Sequence, residues 1–304
     1  MVDTDSRKLP CDNPKWGSED QLGSANELTP EVVLRAFTIQ RQGKVYDLSE
    51  MLDNNTPSHP VHGPLIHYVY FSHQEGGKWM SRGHEGSAFE TFSDRVDMPL
   101  QIGTHIDALC HVSIADRMYN GFSAKGNLGT QGSNKLGIEQ VPPIVTRGLL
   151  LDVAAYKGCD CLEGRYKITV QDLESTLRKE KIAEVERGDA ILLHTGWHKA
   201  WRSDRIKYTY SSPGLGLSSA KWLVERGVVA IGADNLGLEV FPYPIKGLIS
   251  PVHQYLLVQT GTYIVENLVT EEFVAVGAYE FLFVCVPLKF RGGCGCAVRP
   301  LAII

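Results

Sequence analysis

No uninterrupted apolar run in these 304 residues approaches the length that crosses a bilayer. The first residues, Met1-Val2-Asp3-Thr4-Asp5-Ser6-Arg7, are polar and lack an apolar signal core, so the expected location is the cytoplasm. Basic clusters are missing too. With 30 Lys and Arg against 35 Asp and Glu the net charge is -5, which gives no reason to expect a nucleic-acid partner. Seven cysteines are too few and too scattered for a disulfide scaffold. Cys159/Cys161 and Cys294/Cys296 are Cys-x-Cys pairs, not the wider spacing of structural zinc sites, so the thiols are read as reduced and structural. No Gly-x-Ser-x-Gly elbow is present, which counts against a serine hydrolase. Gly214-Leu215-Gly216-Leu217-Ser218 lacks the preceding strand and third glycine of a dinucleotide loop. No repeat or low-complexity linker divides the chain. Residues 1–304 are therefore expected to form a single domain, with residues 1–28, rich in Asp, Gly, Asn and Pro, as an irregular N-terminal arm.

What is present alternates between strand and helix patterns. Continuous apolar runs at 148–153, 190–195, 228–233, 262–267 and 280–286 suit strands covered on both faces. Shorter alternating stretches at 44–49, 66–71 and 88–92 look like further strands. Thr29-Pro30-Glu31 is a helix start, with Gly43 as its stop, and Thr169 and Ser218 are expected to cap helices reaching Lys181 and Arg226. Such alternation predicts an α/β layered domain. The glycine-rich stretch 121–137 is long enough to be a loop over a site.

The chemistry concentrates at 101–111, Gln-Ile-Gly-Thr-His-Ile-Asp-Ala-Leu-Cys-His. Gln101, His105, Asp107 and His111 bring four metal-binding or proton-transfer groups into eleven residues. Gly103-Thr104 argues for a tight turn that gathers them. Imidazole with carboxylate is a usual donor mix for Zn²⁺, Mn²⁺ or Fe²⁺, and such ions activate water for attack on carbonyls.

This segment resembles the His-x-Gly-Thr-His-x-Asp-x-Pro-x-His signature of the metal-dependent cyclase family, which includes kynurenine formamidase, isatin hydrolase and trans-dienelactone hydrolase. Gln101 stands at the first His of that pattern and Leu109 at its Pro. The likeness continues through Trp16 to Gly23, Asn26 and Leu28-Thr29-Pro30, through Ile231-Gly232-Ala233-Asp234-Asn235, and through His253-Gln254-Tyr255-Leu256-Leu257 to Glu266-Asn267-Leu268. It implies a swivelling β/β/α fold, usually as a homo-oligomer, a dimer or tetramer. It also implies metal-ligand roles for His105 and Asp107, with Gln101 at the third position, and a general acid/base role for His111. His253 and Glu266 would serve as ligands or proton handlers. The Gln in place of His makes the set richer in oxygen and moves the preference from Zn²⁺ toward Mn²⁺; one divalent ion per subunit, Mn²⁺ or Zn²⁺, is expected.

The expected function is a metal-dependent hydrolase that opens a lactone or cleaves a small cyclic or formyl amide. A small-molecule substrate is its only expected partner besides further copies of itself. Trp79 and His194 are candidates for contacting that substrate. A lyase or dehydratase using the same ion to stabilise an enolate stays open, as does a catalytically silent member that only binds small ligands.

Overall fold

The apolar runs Leu149-Leu150-Leu151, Ile191-Leu192-Leu193 and Ile231 lie fully buried at the centre of a nine-stranded sheet. The computed structural model describes residues 15–59, 61–71, 82, 91–201 and 203–304. In chain order the strands are β1 (Val45–Asp47), β2 (His105–Asp107), β3 (Ile144–Asp152), β4 (Ala190–His194), β5 (Ala230–Ala233), β6 (Tyr263–Glu266), β7 (Glu280–Cys285), β8 (Gly295–Ala297) and β9 (Leu301–Ile303). Across the sheet they run β1-β9-β7-β3-β4-β5-β6-β2-β8. The run β3-β4-β5-β6 is parallel, and every other pairing is antiparallel. Parallel strands must be covered on both faces, which is why their sequences are continuous apolar runs instead of alternating ones. The architecture is α/β, as the alternation predicts.

Three helices start close to where the sequence places them. Helix α1 (Pro30–Ala36) begins with the Thr29 hydroxyl accepting from Val32 N–H and Pro at its first turn. It ends at Ala36, well before Gly43, so Gly43 is not its stop. Helix α2 (Val170–Glu180) has a capping box between Thr169 and Asp172 and buries Leu173, Thr176 and Leu177. Helix α3 (Leu217–Glu225) has Gly216 at its N-cap, two residues earlier than the expected Ser218. The close approach explains the shift: a Cβ at Gly216 would stand 3.0 Å from the Ile168 carbonyl.

Two other expectations are corrected. The stretch 121–137 is not a lid; it contains a short helix and hairpin, and Gly132 packs on the backbone of Gly292, where a Cβ would clash at 2.7 Å. Residues 88–90 of the expected strand 88–92 lie outside the described residues; the strand that pairs with Ile66–Phe71 is Ser93–Asp97. The described part of the N-terminal arm is fastened to the body through Ser24 N–H on the Gly261 carbonyl, 2.8 Å, and Tyr263 OH on the Leu22 carbonyl, 2.8 Å. Among the described residues no helix is long and apolar enough to cross a membrane.

Candidate metal centre

Strand β2 is where the 101–111 segment becomes a site. Gly103, with φ at 55°, turns the chain, and His105–Asp107 then run as a three-residue strand between β6 and β8, not as part of the turn. The turn is locked from β6. Thr104 Oγ1 donates to the Asn267 carbonyl at 2.6 Å, and Asn267 Nδ2 donates to the Gly103 carbonyl at 2.9 Å. Because side chains alternate along a strand, His105 and Asp107 share one face while Ile106 enters the core. The antiparallel register sets Glu266 directly opposite His105, and Gly295 of β8 directly opposite Asp107.

Three donor atoms converge. One ligand atom from each of His105, Asp107 and Glu266 lies within 4.8 Å of the others, and all three residues are buried. His105 Nε2 is 3.4 Å from Glu266 Oε2 and 3.8 Å from Asp107 Oδ1. His105 Nδ1 is engaged by the Gly103 carbonyl at 2.8 Å, which leaves Nε2 facing the carboxylates. His253 adds its Nε2 at 3.1 Å from Glu266 Oε1 and 3.8 Å from Asp107 Oδ2. His111 approaches from the other side, its Nε2 3.9 Å from Asp107 Oδ1.

The Asp107 carboxylate is the diagnostic group. Both its oxygens are buried and neither has a hydrogen-bond partner. A buried carboxylate so placed costs several kcal/mol unless a cation meets it. Its neighbours respond to the crowded negative charge. Burial opposes protonation of His105, but the hydrogen bond and charge of Glu266 outweigh it and raise the imidazole to about 9. His253 is likewise raised against its burial, by Glu239 and then Glu266. Burial would raise Glu266, yet the hydrogen bonds from His105 and His253 hold it well below the usual carboxylate range. Two carboxylates, an imidazole and an oxygen pair without donors fit a divalent cation.

Glu239 is a site residue that the sequence did not disclose. It is buried, and its carboxylate accepts from Val252 N–H at 3.1 Å, His253 N–H at 3.2 Å and His253 Nδ1 at 2.6 Å. It therefore caps the helical segment that starts at Pro251 and fixes His253 with Nε2 toward Glu266. That segment continues as a wide π-type helix, Gln254–Thr260, and ends at Gly261, whose left-handed backbone leads the chain into β6.

The remaining candidates fall elsewhere. Gln101 places its amide nitrogen 3.4 Å from His111 Nδ1 and lines the same cavity, while Glu266 offers a carboxylate oxygen beside His105 and Asp107. Gln101 has room because β8 carries Gly295, where a Cβ would stand 2.6 Å from that amide. His194 as a substrate contact is corrected: its ring is buried at the end of β4 and hydrogen-bonds Thr270 Oγ1 at 2.7 Å, with Asp234 at 3.4 Å. Asp234 in turn accepts from Thr195 and Gly196 N–H groups, so this cluster builds the turn after β4. Trp79 lies outside the described residues.

A cavity of about 310 Å³ opens onto the centre, with Gln101, His105, His111, His253 and Glu266 in its wall. Its outer walls come from loops. His59 and His62 form one side, and the His62 ring is 6.4 Å from that of His111; Leu236, Phe241 and Tyr243 form another. No Lys or Arg lines it among the described residues.

Comparisons with known proteins agree with this arrangement. The cyclase family profile matches residues 46–240. A crystal structure of a novel cyclase superposes with TM-score 0.84 at 31% identity, covering 95% of this chain and 98% of that one. Isatin hydrolase A from Ralstonia solanacearum superposes with TM-score 0.63 at 19% identity, over 85% of this chain and 91% of that one. A predicted metal-dependent hydrolase from Bacillus stearothermophilus gives 0.54 at 20% identity, over 85% and 97%. No curated protein matches. With the profile spanning most of the chain and a 31% identical relative sharing its fold nearly end to end, this protein belongs to the cyclase family.

Proposed function

We propose that this protein is a metal-dependent hydrolase that adds water to a small, uncharged carbonyl compound, a lactone or a cyclic or formyl amide. The observation that carries the reading is the Asp107 carboxylate, buried between three imidazoles and Glu266 with no hydrogen-bond donor on either oxygen. His105, Asp107 and Glu266 would hold one divalent ion. Mn²⁺ suits the two-carboxylate set better than Zn²⁺. When bound, that ion supplies Lewis acidity and makes water a nucleophile near neutral pH.

The chain's own groups divide the remaining work. His111 is about a fifth exposed, 22%, and reaches the cavity beside Asp107, so it can exchange protons with both water and substrate. It takes the proton from the attacking water and returns it to the leaving oxygen or nitrogen. Gln101 holds the His111 ring from its Nδ1 side. His253 is aimed by Glu239 and presents Nε2 beside the same carboxylates, where it can donate to the developing oxyanion. A wall of Phe241, Tyr243 and Leu236, with no lysine or arginine among the described residues, suits a flat, neutral substrate.

The sparse cysteines favour a reducing, cytoplasmic setting. A homo-oligomer is the proposed working form, supported by the exposed Tyr68, Val69 and Val96 of the two-stranded hairpin. The reading is tested by elemental analysis of the purified protein, followed by turnover of lactones, cyclic imides and N-formyl aromatics with Mn²⁺ and with Zn²⁺. Product mass settles the reaction class: addition of one water supports hydrolysis, and loss of water would point to a dehydratase.

A further inference from the structure

Behind the turn that carries Asp107 and His111 sits a pair of thiols that the proposed hydrolysis does not use. Cys110 is buried, and its Sγ lies 3.6 Å from the Gly293 carbonyl. Cys294, partly exposed, precedes β8 by one residue. Backbone pairing brings the two together: the β2–β8 ladder sets Asp107 opposite Gly295, and Ala108 N–H continues it onto the Cys294 carbonyl at 3.0 Å. The Cys110 Sγ thus lies against the backbone that enters Cys294, and each thiol sits close enough to shift the other's titration. Strand alternation puts Cys294 on the opposite side of β8 from Gly295, and so away from the ion-binding face of the ladder.

We propose that Cys110 and Cys294 form a reversible disulfide in response to hydrogen peroxide, and that this bond gates the site through His111. The neighbouring Cys110 thiol favours the Cys294 thiolate and, against partial burial, brings it down to about 7, which marks Cys294 as the attacking sulfur. Its thiolate attacks one peroxide oxygen, the O–O bond breaks, and water leaves to give a sulfenic acid at Cys294. Cys110 then attacks that sulfur, the S–O bond breaks, and a second water leaves as the disulfide forms. Two thiols are oxidised and one peroxide is reduced to two waters. Thiol–disulfide exchange with a small dithiol restores both groups.

The consequence for the site is mechanical. A disulfide holds its sulfurs about 2.05 Å apart, closer than two unbonded thiols can approach, so forming it draws the segment that carries Cys110 and the start of β8 together. His111 is the next residue, and its ring is positioned by Gln101 at 3.4 Å and Asp107 at 3.9 Å, contacts that a shift of Cys110 would disturb. The effect on turnover rests on the proposed role of His111; the bond itself does not.

The test treats the full-length, metal-loaded protein with hydrogen peroxide and maps its peptides by mass spectrometry without reduction. The expected result is a linked pair of peptides containing Cys110 and Cys294, lighter by two hydrogens. Dithiothreitol should dissolve the link, and turnover should be about 10–100-fold lower while it is present, as for a catalytic group displaced by an ångström or so. Cys294→Ser should keep the reduced enzyme's turnover and lose the peroxide response. Linkage at Cys159/Cys161 instead, or sulfinic acid at Cys294 with no link, would overturn the pairing. A Cys110–Cys294 link with unchanged turnover would overturn the gate. The linked-peptide readout is independent of activity, so a protein that forms the bond yet hydrolyses nothing would count against the hydrolase reading and not against the disulfide.

Discussion

Glu266 faces His105 across the β6–β2 ladder as a direct antiparallel neighbour, with Oε2 3.4 Å from Nε2. Residues 161 positions apart in the chain thus meet at the spacing of adjacent strands. The ion-binding face is a product of sheet register, and it inherits the rigidity of the sheet.

Glu266→Gln keeps the shape of that side chain and removes its charge. The variant should stay folded, bind the divalent ion at least tenfold more weakly and lose most turnover, on the order of 10²-fold or more. Titration with Mn²⁺ alongside circular dichroism checks this. A variant with the parent's metal content and turnover would remove Glu266 from the site.

Asp107→Asn separates what the carboxylate does for folding from what it does for binding. Without metal, both Asp107 oxygens are buried without a donor, so the variant should be more stable than the parent by about 1–3 kcal/mol. With saturating Mn²⁺ the order should reverse, because only the parent gains binding energy. Urea unfolding with EDTA and with Mn²⁺ measures both. A parent that is the more stable in EDTA would mean that the neighbouring imidazoles already neutralise Asp107.

His111→Ala should retain the ion and lose turnover by about 10²–10⁴-fold, the usual loss for a general acid/base. Gln101→Ala should lose far less, since it only steadies the ring. Metal analysis beside steady-state kinetics distinguishes them. If His111→Ala is purified without metal, His111 is a ligand and the proton is handled by another group.

Glu180 makes a prediction about stability against pH. Burial lifts its carboxyl from 4.5 to about 8, against the hydrogen bond it accepts from Asp152 N–H, with the Asp152 charge adding to the rise. Between these values the folded chain holds a proton that the unfolded chain releases, so stability falls as pH rises through this window. Glu180→Gln removes the titration. Its stability relative to the parent should grow from pH 4.5 to 8 by on the order of 1–2 kcal/mol, allowing for the partial exposure of the group. Equal pH dependence in parent and variant, from denaturant unfolding at pH 5 and pH 8, would contradict it.

The central strands were legible because burial on both faces leaves long apolar runs, such as Leu149-Leu150-Leu151 and Ile191-Leu192-Leu193. The ligand segment was legible as a cluster of donors but not as a strand. Three residues carry no periodicity of their own, and His105–Asp107 extend only because β6 and β8 pair with them. Glu239 escaped notice for a similar reason: its partner His253 is 14 residues away, and only the fold shows that a carboxylate caps that helix start. His194 is a polar ring at the end of an apolar run and so invites a substrate role, yet its ring is satisfied by Thr270, 76 residues later in the chain. Gln101 was the hardest to place, since spacing puts it among the ligands while Gly295 gives it space beside His111.

The cavity has two kinds of wall: its floor belongs to the β2–β6 ladder and the Pro251 helix start, and its sides belong to the loops around His59–His62 and Leu236–Tyr243. Loops accept insertions and substitutions that a strand ladder does not. Diversification of substrate can therefore proceed at the sides alone. Exchanging Phe241, Tyr243 or the His59–His62 stretch should redirect which ring or acyl group is accepted, while the carboxylate and imidazole floor passes unaltered from one specificity to the next.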